Sequence, residues 1–272
     1  MQTRRDEEGR HMRLKSTGSM LMIVGAVVSL GLIRAAAQAP APPRGTDVPR
    51  TRDGKPDLSG IWQVMNSAAW DIQDHQARKG VPAGMGVVEG NEIPYKPAAL
   101  AKKRENFQNR ATADPEAKCY LPGLPRLIYM PYPFQIFQTP AKLTMLFEYV
   151  HATRFILTNG TLHPPGHIDW WMGDSRGRWE GDTLVVDVVD FNDQTWFDRA
   201  GNFHGDQLHL VERYTLTDPD HITYDVTVED PEVFTRPWRM SMILYRHKEK
   251  NVQLLEYECY AFDNEFHPPV PN

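Results

Sequence analysis

The sequence predicts a mainly β fold, an antiparallel up-and-down barrel with one helix near its N-terminus. Three observations predict it. From about Leu127 onward, apolar and polar residues alternate in short runs, the two-residue period of half-buried strands. Compact turn sequences separate those runs, among them Asn159-Gly160, Glu180-Gly181-Asp182 and Asp218-Pro219-Asp220. The resulting meander of about eight to ten strands must also close or double over, because open edges and an exposed apolar face are both costly. A barrel of that size holds either a packed core or one small ligand. A two-sheet β-sandwich is the alternative.

The elements follow in order. Arg4, Arg5, Arg10, Arg13 and Lys15 precede an uncharged apolar run from Met20 to Ile33, the order of an export leader. The run is too short for a membrane span, which needs about 20 apolar residues. Arg34 and Ala35-Ala36-Ala37-Gln38-Ala39 close it, and the last three residues read as a cleavage site, so residues 1–39 are expected to be removed. An uncleaved anchor, or a start at Met12 or Met20, are the competing readings. Residues 40–56 are rich in Pro, Gly and Thr and read as a flexible tether to a single domain at 57–272. Residues 58–64 open that domain as a strand, and 65–125 form a loop and helix insertion. Its helix, 97–110, has Pro97 in an allowed first-turn position. Strands are then expected at 143–150, 154–158, 161–163, 178–179, 183–189, 212–217, 221–228, 239–246 and 252–260, paired as successive hairpins.

Charge narrows the partners. The leader holds six of the 30 Lys and Arg residues and three of the 35 Asp and Glu residues, which leaves the mature chain at about −8. Such a balance disfavours nucleic acid, whose affinity comes from clustered cations. No transmembrane segment is expected after leader cleavage, and the location is periplasmic or secreted. The chain has two cysteines, Cys119 and Cys259, and an exported protein meets an oxidising compartment, so a Cys119–Cys259 disulfide is expected.

Several motifs carry a resemblance. Pro56-Asp-Leu-Ser-Gly-Ile-Trp62, Cys119-x-x-Pro-Gly-x-Pro-Arg126, Gly177-Arg-Trp-Glu-Gly-Asp-Thr-Leu-Val-Val186, Phe191-Asn-Asp-x-Thr-Trp196 and Asp198-Arg-Ala-Gly201 together resemble an exported bacterial family with no assigned activity. Gly60-Ile61-Trp62 is also similar to the opening of lipocalins, which implies a calycin-like cup for a lipophilic ligand.

Chemistry concentrates between His163 and Arg213, where histidines and carboxylates alternate with tryptophans. His204 with Asp206 or Asp198 is the favoured general base, since a carboxylate fixes the imidazole tautomer, and His163 is its acid or second base. Tyr132, Trp171 and Trp196 suit a flat apolar ligand. Arg154 and Arg213 lie in strands and need carboxylate partners such as Glu148 or Glu212 if they point inward, where they would anchor a ligand's anionic group. No cofactor is expected. A metal on His163, His167 and His204 is the one exception kept open, although Pro164, Pro165 and Gly166 break any helical spacing. Three readings remain: an enzyme doing cofactor-free acid–base chemistry (hydrolysis, elimination or isomerisation) on a small, partly aromatic substrate, a carrier of a lipophilic or aromatic ligand, and an interaction or envelope-associated protein whose barrel is solid.

Overall fold

The computed structural model describes residues 48–259. The expected leader, the first part of the expected tether and the chain after Cys259 lie outside the described residues. Nine strands form one closed barrel in which each strand pairs with its neighbours in sequence. They are β1 (Gly60–Val64), β2 (Phe134–Thr139), β3 (Lys142–Phe147), β4 (Thr153–Leu157), β5 (Asp174–Glu180), β6 (Thr183–Val189), β7 (His209–Asp218), β8 (His221–Glu229) and β9 (Trp238–Arg246). One α-helix, α1 (Pro97–Ala113), interrupts the long connection from β1 to β2. The mainly β barrel with one helix is therefore the fold; it is mixed rather than wholly antiparallel.

The strand count forces the exception. An odd number of strands cannot close through antiparallel pairs alone, because alternation would bring the first and ninth strands together running the same way. Here β9 and β1 meet antiparallel, with Trp62 opposite Arg246, and the one parallel pair lies at β4–β5, with Ile156 opposite Ser175. The Asn159-Gly160 bend does form, with Gly160 at φ +77°, but 161–163 is not its returning strand. Pro164 and Pro165 follow at once and supply no N–H for a ladder. Instead residues 158–173 cross from one end of the barrel to the other before β5 begins.

Two further expectations change. Residues 252–258 are not a strand, because β1 already occupies the free edge of β9. The strand expected at 143–150 stops at Phe147, where Val150 and His151 take positive φ of 46° and 52° in the turn to β4. β2 was not anticipated: its six residues lie between Pro133 and Pro140, and only Phe134 and Ile136 are buried.

The two barrel ends differ. At one, β2–β3, β5–β6 and β7–β8 join through two-residue turns. The other receives the connections 65–133, 190–208 and 230–237. Between them the inward side chains pack solidly. Trp62, Phe134, Leu184, Val186, Leu210, Tyr224, Val226 and Leu244 are all at 0 % exposure, so no water-sized space touches them.

The long connections are fastened to one another. α1 rests on the turn after β6, where Asn106 Nδ2 donates to the Gly201 carbonyl. Gly201 sits at φ +83°, and a Cβ there would stand 2.7 Å from the Phe107 nitrogen, so only glycine fits. The disulfide Cys119–Cys259 is present, with Cα atoms 5.7 Å apart, and fixes the final segment, rather than a last strand, beside the start of the 119–133 stretch. Glu148, considered above as a partner for an inward arginine, instead accepts the Leu255 N–H of that same segment. Among the described residues, no helix is long and apolar enough to cross a membrane.

Candidate functional site

Inside the barrel, the alternation of β4 and β7 turns Arg154 and Glu212 inward, to 3 % and 0 % exposure. Arg154 donates to both carboxylate oxygens of Glu212, to the Ser175 hydroxyl at 2.9 and 3.1 Å, and to the Tyr214 hydroxyl at 3.2 Å. Tyr224 and Tyr214 donate to Glu212 Oε1 at 2.6 and 3.2 Å. Every guanidinium nitrogen has a partner, so the pair is closed on itself. Arg213 points the other way, to Glu180 at 3.0 Å on the outer wall.

At the long-loop end, His204 is buried between the rings of Phe191 and Phe197. Its Nδ1–H donates to the Gly205 carbonyl at 2.8 Å, which leaves Nε2 to accept from the Thr195 hydroxyl at 2.7 Å. Burial lowers its pKa and keeps it neutral. Neither Asp206 nor Asp198 is among its hydrogen-bond partners. Asp206 is exposed and meets its neighbour Gln207. Asp198 is fully buried and accepts from the backbone N–H groups of Ile72, Ala200 and Asn202 and from the Asn202 amide. Burial, reinforced by the charge of Asp71, pushes its pKa up to about 6. These residues organise the loops. The expected base–carboxylate pair is not assembled.

Arg126, which sequence reading did not select as a site residue, is also fully buried. It forks onto Asp114 at 2.8 and 3.0 Å and reaches Glu116, which also binds Arg199. The guanidiniums of Arg126 and Arg199 overcome burial and hold the Glu116 carboxyl below its usual value. Tyr132 belongs to a neighbouring aromatic group, 5.3 Å from Tyr149 and 4.7 Å from Tyr257 between ring centroids. Trp196 is buried, its backbone bridged to Phe203.

A cleft of about 520 Å³ opens beside Asp114, Glu116 and Arg199, and a second opening lies on the side of the barrel. The crossover and the outer face of β4 enclose a groove of about 610 Å³. Trp170, Trp171 and Met172 form one wall, Phe155 and Leu157 the other, with Lys142, Asp169 and Asp174 supplying charge. Phe155 and Trp170 are 53 % and 44 % exposed, large apolar surface for water to cover. The walls are held in place: Trp171 meets Tyr120 edge-on at 5.5 Å, Lys142 Nζ lies 4.9 Å from the Phe155 ring centroid, and Trp170 bridges to Phe191. Of the residues selected from sequence, Trp171 and Arg154 line this groove.

Beside the groove lies a chain of histidines and carboxylates on the outer wall. His163 Nδ1 is 2.6 Å from Asp174, and its Nε2 is 2.9 Å from Asp187. Asp187 also meets His209 Nε2 at 2.7 Å, and His209 Nδ1 faces Glu229 at 3.5 Å. Burial works against the Asp187 charge, but the two imidazoles outweigh it and hold its pKa down. His167 pairs separately, with Asp169 and Asp190. Asp174 and Asp187 were missed, and His209, within the polar stretch from His163 to Arg213, was given no role, because strand alternation alone does not show which outward residues lie side by side across the ladder. The expected set of His163, His167 and His204 is not gathered, since His204 is enclosed among the loops.

Fold and site together define a closed β-barrel protein with one long-loop end and a lateral aromatic groove. No family model, curated protein or solved structure matches the chain.

Proposed function

We propose that this is a binding protein of the periplasm or the secreted fraction that holds one flat, partly aromatic small molecule in the lateral groove. The groove itself carries the reading: about 610 Å³ is the size of a small-molecule site, and two tryptophans, a methionine and a phenylalanine face it. The export leader and the disulfide support the compartment. The packed barrel interior argues for a site on the side of the barrel rather than in a lipocalin-like cup. A second reading, acid–base catalysis in the same groove, is favoured by one observation: Asp174 lines the groove and holds His163. Against it, both His163 nitrogens already face carboxylates.

Titration with anilinonaphthalene sulfonate, read by its own emission, tests the groove. Trp171→Ala is expected to weaken binding about tenfold, the loss of one aromatic anchor worth about 1–2 kcal/mol. Unchanged affinity in that variant removes the groove from the function. A native ligand recovered chemically unaltered supports carriage, whereas turnover that disappears in His163→Ala supports the enzyme.

A further inference from the structure

We propose that His163, Asp187 and His209 form a site for a divalent transition metal, zinc or a near neighbour in the series, on the outer wall of the barrel. Asp187 on β6 stands opposite Val211 of β7, and His209 lies two residues before Val211, on the same outward face. Glu229 of β8 is directly opposite His209. The crossover brings His163 to the other side of Asp187. Both imidazoles therefore present the same nitrogen, Nε2, to one carboxylate, at 2.9 and 2.7 Å from its two oxygens.

The second nitrogen of each ring is equally informative. His163 Nδ1 rests on Asp174 at 2.6 Å, and His209 Nδ1 faces Glu229 at 3.5 Å. Carboxylates behind ligating imidazoles fix the tautomer that leaves Nε2 free to bind, and they raise its basicity. Asp174 is itself oriented by Arg176, whose Nε and Nη2 reach it at 2.6 and 2.9 Å. Three carboxylates, Asp174, Asp187 and Glu229, stand around the two rings against one guanidinium, Arg176, and a divalent ion offsets that excess of negative charge.

Two imidazole nitrogens and a carboxylate are a donor set suited to zinc, cobalt or nickel, with a further position for water. Partial exposure leaves an entry path: the side chains of His163, Asp187 and His209 are 25 %, 35 % and 34 % accessible. Among the described residues, no three such side chains already surround a common point. On binding, the metal replaces the Nε2 protons that face Asp187, these protons leave to solvent, and side-chain rotation draws the two rings together around the ion.

Tag-free, metal-stripped exported protein is titrated with Zn²⁺ by calorimetry and with Co²⁺ by visible absorption. The expected result is one equivalent of Zn²⁺ and the intense bands of four-coordinate Co²⁺. His209→Gln and Asp187→Asn are each expected to abolish that equivalent, while Asp174→Asn weakens it about 10–100-fold. Zn²⁺ should raise the melting temperature of the wild type and leave that of the two ligand variants unmoved, a readout that also reports whether they fold. A wild type that binds no ion overturns the proposal, as do ligand variants that bind like the wild type. Anilinonaphthalene sulfonate binding in the groove is expected to survive His209→Gln, so the two sites stand or fall separately.

Discussion

At the scale of single residues, the buried groups Arg154, Glu212, Asp198 and His204 are each committed to internal hydrogen bonds. Arg154 and Glu212 are fully enclosed, and removing one partner leaves the other charged and desolvated. Glu212→Ala is expected to cost about 3–5 kcal/mol in urea unfolding, because an unpaired buried cation is far more expensive than the pair is stabilising. Arg154→Met combined with Glu212→Leu should recover most of that loss, and a double variant as unstable as the single one would show that the ion pair itself stabilises the barrel. His204 gives a pH prediction. Its pKa is lowered in the fold by burial, so below about 6.5, the ordinary histidine value, the unfolded chain binds the proton more readily. The contribution of neutral His204 is fully present above that value and is lost as pH falls through it. Unfolding free energy measured from pH 7.5 down to 5 should fall more steeply in the wild type than in His204→Gln. Parallel curves would mean that the imidazole is not held neutral.

At the scale of elements, the connections at the long-loop end lock together through places where a side chain has no room. Gly201 is one, set against the backbone of α1; Gly123 is another, at φ +75°, with the Thr195 hydroxyl 2.3 Å from where its Cβ would be. Gly201→Ala combines a positive φ with a backbone clash, and is expected to destabilise by about 1–3 kcal/mol in thermal unfolding. A neutral effect would show that α1 can lift away without cost. Gly201 and Gly123 both belong to motifs noticed in the sequence, Asp198-Arg-Ala-Gly201 and Cys119-x-x-Pro-Gly123. Their partners, Phe107 and Thr195, lie more than 70 residues away, which is why the motifs could be seen while their purpose could not.

For the whole molecule, closure and one covalent tie set the architecture. The barrel closes through β1 and β9, almost the full length of the described chain apart. The disulfide spans 140 residues, a loop whose closure in the unfolded chain is worth up to about 5 kcal/mol in the chain-entropy model. Cys119→Ser with Cys259→Ser is expected to lose a large part of that in urea unfolding. Equal stability with and without reductant in the wild type would show that the crosslink itself contributes nothing to stability. The groove follows from the same topology: a parallel β4–β5 step needs a crossover running the length of the barrel, and this crossover carries Trp170, Trp171 and His163 with it.

The sequence by itself determined the strand-rich class, the helix at 97, the hairpins β5–β6 and β7–β8 and the cysteine pairing. Each of these is local, or leaves one choice: two-residue alternation, a compact turn, a first-turn proline, two cysteines with a single partner each. Tertiary structure alone decided that Asn159-Gly160 opens a crossover, that β1 rather than 252–258 completes the wall, and that His163 finds Asp174 and Asp187 instead of His204. Those outcomes depend on which strands become neighbours around a closed ring. Closure of an odd-numbered barrel is a property of the whole chain, and no window of residues contains it.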